Sequence, residues 1–401
     1  MPTAPVVAQL VERLRVGGAE NLAVRLANGR AADGAPTHLY ALQPGGALAA
    51  RVAPAVALRD LDVRRASIRR PHAFLASVVA GRRTLCRCLD RDGVQILQAH
   101  LPEANFWSLL ATGHGRPHVI ATVHNNDEFH YGEDDGPLRR RLRRAAYRLI
   151  LERCAAVVTV SARVRDSLVA ELDLPSRLAG RLVVVPNGVT VPAPDPAGRD
   201  RVRAELGVPD DTVLLLGAGR LTEQKNFAAL VDLAAALRAD GRAVRTVIAG
   251  EGEQRPPLEA RIADLGLDRE VRLLGVRDDL DALFEAADLF VLSSRWEGLP
   301  LVLLEAMAAG CPVAGFAIDG TREVVEDGRH GLLAPLDDVA TLAARIAGVL
   351  DDPGRLRAMG TAAREHVQAH HDFADVLARL EELYAEILAR PRGRPRGPDP
   401  R

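Results

Sequence analysis

"TVLLLGAGRLTEQKNFAALVDLAAALRADGRAVRTVIAG", residues 212–250, decides how the chain folds. It opens on an unbroken run of Val and Leu, turns at glycine, passes through a helical segment and ends in a second apolar run, "VRTVIAG". Neither run alternates apolar with polar residues, as a strand with one wet face does. Both read as strands buried on two faces, the pattern of a parallel sheet covered by helices. The loop between the first strand and the helix, "GRLTEQKNF" at 219–227, also carries Lys225, the single lysine among 52 Lys and Arg.

The same alternation runs outward in both directions. The first half offers "VVAQLV", "THLYALQ", "VQILQAHL", "HVIATVH", "AVVTVS" and "RLVVVPNG", with helical stretches such as 138–154 and 162–172 between them. The second half adds "VRLLG", "DLFVLSS" and "CPVAGFA". Four prolines in "PNGVTVPAPDPAGRD", 186–200, mark the break between the halves. The expected fold class is α/β, with two Rossmann-like doubly wound parallel-sheet domains facing a cleft. The first domain is expected over 1–190, a linker over 191–211 and the second domain over 212–372. A C-terminal helix, 373–390, is expected to return to the first domain, and the Pro/Gly/Arg-rich tail 391–401 to be disordered.

Composition narrows the function. With 401 residues, 48% hydrophobic and 26% charged, the chain has material for two cored domains. A net charge of −1 argues against nucleic acid as a partner. The four cysteines form no CxxC pair and no zinc-like spacing, which suits a reduced cytoplasmic setting and no metal. No signal-peptide pattern opens the chain. The longest near-apolar run, "GLPLVLLEAMAAGCPVAGFAI", carries Glu305 at its middle and reads as a buried helix followed by a strand.

Two stretches carry chemistry. Glycine at 219 lets backbone approach a ligand, and Arg220 and Lys225 reach one diphosphate from the same loop. An ordinary strand-to-helix turn with solvated charges would read the same way. In "SSRWEGLPLVLLEAMAAG", Glu297 ends a loop, and Gly298 and Leu299 stand at the start of a helix whose free N–H groups favour an anion. Glu305 is expected about two turns into that helix. A carboxylate among Leu, Val, Met and Ala needs a partner, which a ligand or a core contact would supply.

These stretches resemble the retaining glycosyltransferases of family 4, which have the GT-B fold. "WEGLPLVLLEA" looks like the family's E-x7-E signature, "GRLTEQKNF" its phosphate loop, "VVVPNGV" its linker entry and "RVGGAENLAVRLA" its first glycine loop. "GEGEQRPPLEA", "LLGVRDDLDALFEAADLFVLSS" and "GTREVVEDGRHGLLAP" are similar in order and spacing. The resemblance covers nearly the whole chain and is densest over 181–340. It implies that Arg220 and Lys225 neutralise a donor diphosphate, Glu305 binds ribose hydroxyls and Glu297 contacts the transferred sugar. Backbone at Gly219, Gly298, Leu299 and Leu301 would hold sugar and phosphate, backbone at Val276 and Arg277 would border the base, and Gly17 and Gly18 would close over the diphosphate. His124 matches a histidine beside the donor sugar; a strand-end histidine with a backbone partner, or a simply solvent-exposed one, is the alternative.

The resemblance further implies a metal-independent transfer from a nucleotide-diphosphate sugar, UDP-sugar before GDP-sugar, with front-face attack on the retained carbon and no other cofactor. "RDD" at 277–279 and "EDD" at 133–135 lie in the wrong context for a metal motif. The acceptor is expected to be a small molecule, a glycan or a lipid-linked sugar. Phe106, Trp107, Asn125, Asp127 and Glu128 are acceptor-side candidates, with core packing the alternative for the two aromatics. The basic helix 138–154 is a candidate for peripheral contact with the inner face of a membrane, or simply a solvated arginine face. An epimerase of the same fold and a non-catalytic nucleotide-sugar sensor remain alternatives.

Overall fold

The computed structural model describes residues 4–67, 69–113, 117–125 and 137–390. Asp127, Glu128 and the tail 391–401 lie outside the described residues. Among those described, the first domain holds seven parallel strands: β1 (Val7–Val11), β2 (Thr37–Ala41), β3 (Ala57–Asp60), β4 (Ile96–His100), β5 (His118–Val123), β6 (Ala156–Thr159) and β7 (Leu182–Val184). The second holds six: β8 (Val213–Ala218), β9 (Val244–Ala249), β10 (Val271–Gly275), β11 (Leu289–Leu292), β12 (Val313–Phe316) and β13 (Gly331–Ala334).

The sheet orders are β3-β2-β1-β4-β5-β6-β7 and β10-β9-β8-β11-β12-β13. Each reverses direction of growth once, at β1/β4 and at β8/β11. Loops leave these strand pairs toward opposite sides of the sheet and open a crevice at the strands' carboxyl ends. The central strands are buried on both faces, with every residue of β1, β4 and β11 inaccessible, as their unbroken apolar runs require. The strands not anticipated, β3 and β13, are four-residue edge strands. "ALRD" ends in two charges and "GLLA" follows "DGRH", so neither carries an apolar run long enough to stand out.

The expected linker 191–211 needs correction, because residues Pro196–Leu206 form a helix capped by Asp195, whose carboxylate accepts from Gly198 N–H at 3.0 Å. Arg199 and Arg203 tie it to the second domain through Asp288, at 2.8 and 3.0 Å. The prolines signalled the break correctly, but one of them stands at the first turn of a helix, where its missing N–H costs nothing.

The chain crosses between domains a second time near residue 372. Val189 N–H donates to His371 O at 2.9 Å, and Phe373 N–H donates to Val189 O at 3.2 Å, so the two crossings lie side by side. The helix Phe373–Ala389 then packs on the first domain. Its buried residues Val376, Leu377, Leu380, Leu383, Tyr384 and Ile387 recur at helical spacing and form one apolar stripe. Arg30, buried in the helix Gly18–Ala32, forms an ion pair with Glu381 and lies 5.3 Å from the Tyr384 ring centroid. Among the described residues no helix is long and apolar enough to cross a membrane.

The stripe carries this helix onto the first domain, so shortening it should loosen that domain. Leu380→Ala is expected to cost about 2–5 kcal/mol, read as a lower urea midpoint. An unchanged midpoint would show that the helix contributes nothing to that domain.

Candidate functional site

A cleft of about 830 Å³ lies between the domains, at the carboxyl ends of both sheets. That volume suits a ligand of nucleotide-sugar size. Its second-domain wall starts where β8 ends. Gly219 has φ +147°, and a Cβ there would lie 3.3 Å from Lys225 Cε, so glycine leaves the lane along which the lysine stem runs. The next loop presses equally close: a Cβ on Gly250 would lie 1.8 Å from Gly219 O. Lys225 ends a short 3-10 turn, Glu223–Lys225, and its carbonyl accepts from Ser293 Oγ at 2.8 Å. Its Nζ donates to Glu297 Oε1 at 2.5 Å, in an ion pair that is largely shielded from solvent. Arg220 lines the same wall and is exposed.

The turn from Glu297 to Pro300 belongs to both domains. A Cβ on Gly298 would lie 1.9 Å from His124 O, a backbone contact across the cleft that only glycine permits. Asn187, in the linker entry, donates from Nδ2 to Leu299 O at 2.7 Å, and the Asn187 carbonyl accepts from His371 Nδ1 at 3.0 Å. The following helix, Leu301–Ala308, begins at the cleft; Leu303 N–H already donates to Pro300 O at 3.1 Å, and the N–H groups of Leu301 and Val302 precede any intrahelical acceptor.

Glu305 stands one turn into this helix rather than two, because the helix starts at Leu301. Its surroundings also differ from the apolar ones expected. The carboxylate lines the cleft and accepts a hydrogen bond from Arg25 of the first domain's helix Gly18–Ala32. Val276 and Arg277 border the cleft as well. The Arg277 guanidinium is held between Glu205 and Asp279, with contacts of 2.6 Å to each, and hydrogen bonding to both raises its pKa.

Gly17 and Gly18 form the first-domain lip, and Gly18 faces Leu301 across the gap. The Glu20 side chain folds over Gly17. Burial raises the Glu20 carboxyl above the ordinary carboxylate range, while hydrogen bonding to its own backbone N–H and the Arg220 charge oppose the rise. His124 follows β5 and is 8% exposed. Burial lowers its pKa to about 4, so the imidazole is neutral near pH 7. Asn125 and Arg143 complete this side.

Phe106 and Trp107 are corrections: neither lines the cleft. Trp107 is fully buried, packs on Gly81 and donates from Nε1 to Glu103 at 3.0 Å. Phe106 packs against the core under Arg65. Sequence reasoning missed Arg25, Asn187 and His100, whose Nδ1 lies 3.1 Å from His124 Nε2. One signal for His100 was available: the neighbouring apolar runs "LQAH" and "ATVH" both close on a histidine, the first at the end of β4 and the second one residue past β5. Among the described residues, no group of three His, Cys, Asp or Glu is placed to hold a metal ion.

The two domains also match known proteins separately. A family model described as Glycosyltransferase Family 4 matches residues 16–191, and one described as Glycosyl transferases group 1 matches 198–366. The 2-deoxystreptamine glucosyltransferase of Streptomyces kanamyceticus is 30% identical over 304 residues, 72% of this chain and 77% of that protein. The alpha-D-kanosaminyltransferase of the same organism is 30% identical over 244 residues, 60% of this chain and 63% of that protein, so the chain spans just under two thirds of that relative. The crystal structure of Anabaena Alr3699/HepE in complex with UDP and glucose has the same fold, with a TM-score of 0.79 at 21% identity over 94% of this chain and 99% of that one. With one match per domain, in order, and the paired parallel sheets meeting at a shared cleft, the chain belongs to the family 4, group 1 glycosyltransferases of GT-B fold.

Proposed function

We propose that the protein transfers a sugar from a nucleoside diphosphate sugar to an acceptor hydroxyl, with retention at the sugar carbon and without a metal ion. The Lys225–Glu297 pair carries this reading. An ammonium has three N–H donors, and Glu297 takes one, which leaves two for phosphate oxygens. The second carboxylate oxygen of Glu297 is available to a sugar hydroxyl. Diphosphate and transferred sugar therefore meet at this pair, beside the open first turn of the helix Leu301–Ala308.

Charge develops on the leaving diphosphate as the glycosidic bond breaks. Lys225, held by Glu297, and the turn's N–H groups are in place before the reaction and need little reorganisation to meet that charge, and Arg220 adds a second positive charge from the same loop. In this reading Glu305 exchanges Arg25 for the ribose hydroxyls when donor binds. The resemblance to retaining enzymes supports front-face attack, with the leaving phosphate accepting the acceptor's proton. UDP, present with glucose in the Anabaena structure, is the first donor nucleotide to test. The name of the 2-deoxystreptamine glucosyltransferase makes a small amino-substituted ring the first acceptor class to test.

Turnover is read as nucleoside diphosphate released on adding acceptor, which a sensor protein would not give. Lys225→Ala is expected to lose on the order of 100-fold or more in kcat, since one such contact is worth roughly 3–4 kcal/mol. Lys225→Arg keeps the charge but widens the head in the lane beside Gly219, so it should stay well below wild type; full activity in either variant refutes the assignment. Glu305→Gln should weaken donor binding while leaving Tm within a few degrees, and a large fall in Tm with normal donor affinity would make the residue purely structural. Activity is expected to survive EDTA followed by desalting, and a loss restored by Mg²⁺ or Mn²⁺ would overturn metal independence.

A further inference from the structure

A polar stripe crosses the otherwise apolar centre of the first domain. Gln9 on β1, Gln98 and His100 on β4, and Thr122 on β5 are each 0–1% exposed. Strand register places them together: Gln9 pairs with Gln98, and His100 pairs with Thr122. His124 lies two residues beyond Thr122, so it emerges on the same face at the cleft. Buried polar atoms at this depth are costly unless each finds a partner.

The partners form one chain with a consistent direction. Tyr384, from the C-terminal helix, donates its hydroxyl to Gln98 Oε1, and Gln98 Nε2 donates to Thr122 Oγ1 at 3.0 Å. Burial pushes the Tyr384 hydroxyl up to about 12, so it keeps its proton and acts as a donor. Its oxygen then faces Gln9 Nε2, at 3.5 Å, which turns Gln9 Oε1 toward His100 Nε2, at 2.7 Å. An amide oxygen only accepts, so His100 carries its proton on Nε2. His100 Nδ1 is then an acceptor, and the 3.1 Å contact with His124 is completed by the proton on His124 Nε2. His100 is fully buried, which holds it neutral and preserves this arrangement.

We propose that His100 is a positioning residue for His124: it fixes the Nε2–H tautomer of His124 and leaves the His124 Nδ1 lone pair as the hydrogen-bond acceptor offered to a hydroxyl in the cleft. The hydroxyl belongs to the transferred sugar or to the acceptor, and that assignment alone rests on the glycosyl-transfer reading. A histidine presenting Nδ1–H would reject the same hydroxyl's proton and favour a carbonyl or phosphate oxygen instead. The inner chain therefore selects the class of group that His124 recognises, although no member of it except His124 reaches the cleft.

The test is the tautomer itself. In the full-length protein labelled with ¹⁵N-histidine, a long-range ¹H–¹⁵N correlation spectrum at pH 7 distinguishes protonated from unprotonated ring nitrogens, with His124 assigned by its loss in His124→Asn. The expected result is a protonated Nε2 and an unprotonated Nδ1 on His124, with the same pattern on His100. The opposite tautomer, or a doubly protonated ring, overturns the proposal without any reference to activity. His100→Leu removes the acceptor and is expected to let His124 exchange between tautomers, while His100→Gln, which keeps an acceptor oxygen, should hold the Nε2–H form. Donor affinity and Tm, measured by titration with UDP and by thermal melting, report whether either variant is folded. In folded protein, kcat should fall about tenfold in His100→Leu, the kinetic equivalent of one hydrogen bond, and recover in His100→Gln. A His124 tautomer unchanged in His100→Leu would also overturn the proposal. If the predicted tautomer is found but no sugar is turned over, the failure belongs to the functional reading and not to His100.

Discussion

The contact between Gly298 and the carbonyl of His124 governs how the two domains meet. A Cβ on Gly298 would fall 1.9 Å from that oxygen, so any side chain there would have to push the domains apart. With glycine, the end of β5 and the turn after β11 share one surface. Asn187 reinforces the arrangement by holding the Leu299 carbonyl, and His371 holds Asn187 in turn. The turn from Glu297 to Pro300 is thus fastened at once to the opposite domain and to the crossing point of the chain. Relative movement of the domains must change the geometry of the residues expected to hold phosphate and sugar, which ties closure to assembly of the site.

Charge in the cleft is organised around the same turn. Lys225 and Glu297 neutralise each other at 2.5 Å, Arg25 engages Glu305, and Arg277 lies between two carboxylates. Lone charges in a half-buried crevice would be expensive, and long side chains without partners would wander. Pairing answers both problems. It also keeps Lys225 extended beside Gly219, where a compact ammonium fits and a broad guanidinium would be crowded.

The two sheets solve the problem of burial differently. In the second domain the strands flanking the reversal, β8 and β11, read "VLLLGA" and "LFVL" and bury no polar side chain. In the first domain the corresponding strands bury Gln9, Gln98 and His100. The difference follows from what covers them. The C-terminal helix brings Tyr384 onto this face, and its hydroxyl satisfies both glutamines. Without that helix the stripe would lose the partner that sets its direction.

Local patterning in the sequence determined the fold class, the two domains, most strands and the loops that supply Lys225, Glu297 and Glu305. Unbroken apolar runs, proline clusters and glycine turns act over a few residues, so they are visible without coordinates. Edge strands β3 and β13 escaped because four residues with charged neighbours carry little periodic signal. The helix within 191–211 escaped because its prolines masked a capped first turn. Long-range partners were decided by tertiary structure alone: Arg25 and Glu305 across the cleft are separated by 280 residues, Asn187 and Leu299 by 112, and Gln98 and Tyr384 in the first domain's core by 286. Spacing along the chain says nothing about such pairs, because they depend on how strand register and domain docking bring distant backbone together. The same holds for Trp107, whose place in the core is set by the helix that lays Gly81 against it. Sequence named the chemical groups of the site, and packing chose which of them face one another.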